Sequence, residues 1–401
     1  MSRPNTKGYF VRERLTEARE ARDVTQADIG RPLNRSGSAV SNWERGEQTP
    51  EPTTLEQLAS VLGVFSSYFG KDIPNYGGSA IFFRSMANAT KRVRTREKAR
   101  VRWLQHTSLE LQEILEFPAV NFPAFVGPDD YRKLDYPDLE HIASSMRAHW
   151  RLGDGPLQNM VLVAENAGVV VGIDEVGSTR IDGQGAWCKA DVRPYILLAR
   201  DKYTAFRRQM DIAHELAHLV LHYGIDDEQL EKHFDTIEDQ AKYLAGAFLL
   251  PDKSFPAEIF SVSLDGFLAL KPRWKVAIGA MIMRARQLHI LSESSAHSLW
   301  KYRATRGWNR REPLDLPTET PVEEPRLLRR AIEMIVDSGV RSKRDLLASD
   351  IGLGASDIEM MAVLPPGYFG GQAEIIPLEP KLKESESGNR GGQVVPFPRP
   401  N

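Results

Sequence analysis

Residues 206–224 read FRRQMDIAHELAHLVLHYG, and Ile212, Ala213, Leu216, Leu219 and Val220 form an apolar stripe at helical spacing. Such a segment has to be a long helix packed along one face. On it His214 and His218, four residues apart, project from the same side one turn apart, close enough to share a tetrahedral cation. Glu215 sits beside them, where it can take a proton from water at the ion's open position without being a ligand. Two satisfied core histidines are the plain alternative.

A tetrahedral site needs a third protein ligand. The chain has one cysteine, Cys188, so His and carboxylate must hold any metal, and Cys188 itself is expected to be buried rather than reactive. Glu238 follows His218 by 20 residues on a second striped helix (Ala241, Leu244, Ala245, Phe248, Leu249) that ends at Pro251. An antiparallel return would place its carboxylate opposite the histidines. Glu231, His233, Asp235 and Asp239 are rivals, and His222 extends the histidine face by one turn in a supporting role. No oxyanion donor is legible; Tyr223 and His233 are the nearest candidates.

At 401 residues the chain exceeds one ordinary core, and 41% apolar content is enough for two or three. No run approaches the roughly 20 apolar residues of a membrane helix. MSRPNTKGYFVRERLTEARE has no apolar stretch behind its basic residues, so a cytoplasmic protein with no membrane partner is expected. Charge is uneven: residues 1–102 carry 18 Lys and Arg against 11 Asp and Glu, whereas the rest carries 34 against 43. That asymmetry points to a polyanion partner for the first quarter.

The first 70 residues read as four or five short helices. Thr25, three residues before Asp28, and Ser36 are N-caps, and Thr53 with Glu56 forms a capping box ahead of Leu55, Leu58, Ala59 and Leu62, closed by Gly63. Pro32 shortens the second helix. The third turns Val40 and Trp43 inward and leaves Ser38, Ser41, Asn42 and Arg45 on a free face suited to base edges. Residues 24–64, VTQADIGRPLNRSGSAVSNWERGEQTPEPTTLEQLASVLGV, resemble the Xre/Cro helix-turn-helix family through Thr25-Gln26, Ser41 to Gly46 and Pro50. The resemblance implies double-stranded DNA as a partner, bound by Gln26 at a phosphate and by Ser38, Ser41 and Asn42 in the major groove, with Ser36 and Arg45 as further candidate DNA contacts. Paired half-sites then imply a homodimer. Gly37 stands where that family often carries a longer base-reading side chain, which implies modest specificity.

The segment HELAHLVLH followed by EDQAKYLAGAFLLP resembles the ImmA/IrrE family of zinc peptidases. That resemblance implies zinc held by His214, His218 and Glu238, with Glu215 as general base. Lys242 stands where the family usually has Asn after its E-x-x-A motif. A protein substrate, specifically a repressor in stress or prophage regulation, is likewise what the resemblance implies. Two other readings stay open: a transcription factor whose peptidase-like part only senses a ligand or partner, and an antitoxin-like binding protein.

The fold class expected is α+β and mostly helical: an N-terminal all-α helix-turn-helix bundle, a zincin-like peptidase domain with a small sheet, and a helical C-terminal region. Strands are expected at Val169–Ile173 and Tyr195–Leu198, with Cys188 in a hairpin. The expected boundaries are 1–73 for the DNA-binding domain, 74–135 for a basic linker helix and 136–256 for the peptidase domain. A helical extension follows at 257–315, then a small helical domain at 316–378 and a disordered tail at 379–401. The basic face of the linker helix either lies along phosphates or is simply solvated.

Overall fold

The computed structural model describes residues 10–77, 80–83, 90–123, 130–175, 183–200 and 204–370. The expected tail at 379–401 falls outside the described residues. The protein is mostly helical with one small sheet, the α+β class read from the sequence.

The N-terminal helices are α1 (Arg12–Ala21), α2 (Gln26–Gly30), α3 (Gly37–Arg45) and α4 (Pro52–Leu62). Thr25 caps α2 in a reciprocal box with Asp28, and Ser36 caps α3 by accepting from the Ala39 N–H. Pro32 acts as expected: α2 stops at Gly30 and continues only as a 3₁₀ turn, Arg31–Leu33. The Thr53–Glu56 box does not form. The fourth helix starts earlier, at Pro52 with Glu51 as its N-cap, because proline at the first helical position has no N–H to leave unpaired. Gly63 closes that helix at φ 63, in the left-handed region that glycine adopts without strain.

Next come β1 (Phe82–Phe83), α5 (Lys91–Gln112), α6 (Tyr136–His149), α7 (Met160–Asn166), β2 (Val170–Asp174), β3 (Gly183–Cys188) and β4 (Arg193–Ala199). The sheet order is β1-β3-β4-β2, with β2 parallel to β4 and β3 antiparallel to both β4 and β1. The two expected strands are β2 and β4, and Cys188 ends the hairpin strand β3, buried. After the sheet run α8 (Ala205–Leu221), α9 (Asp227–Lys232), α10 (Phe234–Leu249), α11 (Ser254–Ala257), α12 (Leu264–Trp274), α13 (Ile278–Gln287) and α14 (Glu293–Thr305). The chain ends its described part with α15 (Leu327–Asp337), α16 (Lys343–Asp345), a π turn at Leu346–Ile351 and α17 (Ala355–Met361).

Alternation along the strands divides the molecule. Val170, Tyr195 and Leu197 join a core with α1, α4, α5, α15, the π turn and α17, whereas Val171, Ile196 and Leu198 join a second core with α6 to α8, α10, α12 and α13. Successive strand residues point to opposite faces, so the sheet is the partition between the two cores. Residues 327–364 therefore share one core with the N-terminal helices and α5.

The basic stretch forms α5, but not as an open cationic strip. Trp103 and Leu104 are fully buried, and its cations are matched within the chain: Arg94 with Glu231 at 3.1 Å, Arg96 with Glu97 at 2.6 Å and Lys98 with Asp227 at 3.1 Å. Arg100 bridges Asp174 and Asp357. The charge count gave no hint of these partners, which lie as much as 257 residues away in sequence.

Candidate metal centre

Fifteen of the 17 residues of α8 are buried, because the helix lies between the sheet and α10. His214 Nε2 and His218 Nε2 stand 3.1 Å apart. From α10, Glu238 Oε1 lies 3.6 Å from the first and 3.2 Å from the second. Two atoms each about 2.05 Å from a tetrahedral zinc would lie about 3.3 Å apart, so this spacing suits a single ion. Among the described residues this is the one group of three His, Cys, Asp or Glu ligand atoms found within 4.8 Å of one another. Of the rivals, Glu231 pairs with Arg94 and Asp239 accepts from the Tyr136 hydroxyl.

The protons around His218 point the same way. Gln240 donates through Nε2 to the Tyr131 carbonyl at 2.7 Å, so its Oε1 faces His222 Nε2 at 3.2 Å as an acceptor. His222 must then donate from Nε2 and accept at Nδ1, which is 3.1 Å from His218 Nδ1. Burial, then the neighbouring His218, push the His222 imidazole well below its ordinary pKa, in keeping with a neutral ring. His218 Nδ1 thus carries the proton and Nε2 turns a lone pair toward the Glu238 carboxylate. Electron-pair donors converging in a buried site are what a cation satisfies. Glu238 itself is buried. Its outer oxygen lies 3.1 Å from Lys242 Nζ, which gives the unusual lysine a partner.

Glu215 is buried against β3. A Cβ on Gly185 would come within 3.0 Å of its Oε2, and one on Gly183 within 3.3 Å of its Oε1. These alternate glycines leave bare backbone where the carboxylate sits. Sequence reading missed them; their signal was two glycines on one face of a strand, which marks a close approach. It also missed Phe82, whose ring stacks on His218 at 4.6 Å and 5°. A cavity of about 800 Å³ opens beside His214, walled in part by Met210, Met283, Tyr243 and Tyr136. Of the two candidate oxyanion donors, the Tyr223 ring lies edge-on to Trp187 and the His233 ring edge-on to Tyr131.

On α3, Trp43 is buried while Arg45 is exposed and donates to Ser41 Oγ and Asn42 Oδ1, both at 2.6 Å. Ser36 and Ser38 share a hydroxyl hydrogen bond at 2.7 Å, and Gln26 donates to Glu44 at 2.7 Å. All six side chains sit at least partly in solvent on the α2–α3 unit.

Residues 11–66 match the family model described as a helix-turn-helix domain, and residues 164–286 match a peptidase family described as the IrrE N-terminal-like domain. The chain joins a helix-turn-helix domain to an IrrE N-terminal-like domain. No curated protein matches it. The IrrE-like match runs from the end of α7 through α13 and contains His214, Glu215, His218 and Glu238. The helix-turn-helix match takes in α1 to α4 and so includes α3. Among the described residues no helix is long and apolar enough to cross a membrane.

Proposed function

We propose that the protein is a DNA-binding regulator whose IrrE-like domain is a zinc-dependent endopeptidase acting on a protein partner, a repressor in stress or prophage control. The observation that carries this reading is the convergence of His214, His218 and Glu238 beside the buried carboxylate of Glu215. A zinc ion held by these three side chains supplies Lewis acidity, lowering the pKa of water and polarising a peptide carbonyl.

The protein's own groups do the rest. Glu215, held against the bare backbone of Gly183 and Gly185, takes the proton of the attacking water and returns it to the leaving amine. His222 and Gln240 keep the His218 Nε2 lone pair aimed inward, and Lys242 restrains the outer oxygen of Glu238. The cavity beside His214 gives a substrate side chain room next to the reacting bond. At the other end, Ser38, Ser41, Asn42 and Arg45 face the major groove with Gln26 at a phosphate, and Ser36 fixes the start of α3. Two copies bind paired half-sites.

The test pairs metal analysis with cleavage of any repressor encoded next to this gene. Glu215→Gln is expected to retain one zinc per chain yet lose about 10²- to 10⁴-fold in cleavage rate, and a chelator is expected to stop the wild-type protein. A Glu215→Gln protein that cuts at the wild-type rate rules the mechanism out.

A further inference from the structure

In the order β1-β3-β4-β2, removing β1 would leave β3 as an edge strand, and β3 is the strand whose glycines lie against Glu215. An extended peptide can add to such an edge through backbone hydrogen bonds. Here the edge is taken by the chain itself. The Lys189 backbone N–H donates to the Tyr76 carbonyl, and Phe82 pairs with Gly185 and Phe83 with Gln184, antiparallel to β3. Facing Gly185, the Phe82 side chain shares the α8 face and stacks flat on His218. The backbone pairing is short, two residues supplemented by an Ala80 N–H bond to the Ile225 carbonyl, so the segment is held largely by the buried side chains of Ile81 and Phe82.

We infer that residues 80–83 are an internal occupant of a peptide-docking edge, and that this edge takes an extended peptide with an aromatic side chain where Phe82 now sits. The inference rests on the peptidase reading for its purpose, but not for its test. A tethered strand competes at an effective concentration of the order of millimolar, so a free peptide binds well only once β1 has left.

The probe is a fluorescein-labelled peptide GSAIFFRS, copied from residues 78–85, titrated by anisotropy into the full-length, metal-free protein. The cross-strand partners Phe83 and Gln184 are replaced together by cysteine, and the same protein is measured oxidised and reduced. Oxidation is expected to weaken peptide binding at least 10-fold relative to the reduced form. Phe82→Ala in the otherwise native chain is expected to tighten it about 10-fold, and the peptide GSAIAFRS to bind about 10-fold more weakly than GSAIFFRS. Equal affinity of the locked and reduced forms, or no binding by either, overturns the inference even if Phe82→Ala proves unstable. With zinc restored, a reduced protein that binds the peptide but cuts nothing leaves the docking edge standing and removes the peptidase reading instead.

Discussion

At the scale of single residues, the site depends on side chains that are missing as much as on those present. A Cβ at position 185 would press on the Glu215 carboxylate, and one at position 183 would crowd it. Gly185→Val is therefore expected to push the carboxylate aside and lower cleavage by about 10²-fold or more, the scale of a displaced general base. Zinc affinity should change less than about threefold, since no ligand moves; competition with a chromogenic chelator measures it. Gln240→Leu should do the reverse. It removes the acceptor that sets the His222 tautomer, and with it the proton order at His218, so zinc affinity should fall about 10- to 100-fold. His214, His218 and Glu215 were legible because helical periodicity is local. Gln240 was not, because its role runs through Tyr131, 109 residues away.

Among the elements, α3 and α5 show how far charge and pattern carry. The free face of α3 was readable because Ser36, Val40, Trp43 and Gly46 fix where that helix begins, which side is buried and where it stops. Asn42→Ala is expected to weaken operator binding about 10-fold, the lower range for one lost base contact, with non-specific DNA affinity unchanged in a gel-shift titration. The basic stretch misled for the opposite reason. A helix can be rich in Arg and Lys and still be a core element when carboxylates from distant segments meet its cations, as Asp174 and Asp357 meet Arg100. Only the fold brings those partners in.

For the molecule as a whole, the sheet separates two cores, and Asp357 ties three distant parts together. It pairs with Arg22 of α1's C-terminal cap at 2.6 Å and with Arg100 of α5 at 2.7 Å, and Ser67 donates to the Ala348 carbonyl nearby. Burial pushes the Asp357 carboxyl up, but the hydrogen bond from Arg22 and the charge of Arg100 outweigh it and leave its pKa below the ordinary value. A depressed folded pKa stabilises above the unfolded value, near 3.9, and that contribution is lost as pH falls through the folded one. Asp357→Asn should therefore cost about 3 kcal/mol in urea unfolding at pH 7. The gap between variant and wild type should begin to narrow below about pH 4 and close only as pH falls through the lower folded pKa, where the native carboxyl also becomes neutral.

By itself the sequence determined what short-range periodicity and chemistry can determine: helices, caps, a histidine pair one turn apart, a carboxylate beside it and the polar, solvent-facing side of α3. Tertiary structure alone decided that Glu238, already favoured by the sequence, reaches both histidines, that glycines of β3 lie against Glu215, that Phe82 lies on His218, and that the C-terminal helices share a core with the N-terminal ones. The physical reason is separation along the chain. Local dihedral preferences and side-chain spacing act within a few residues, whereas these contacts form only after loops of tens to hundreds of residues have closed.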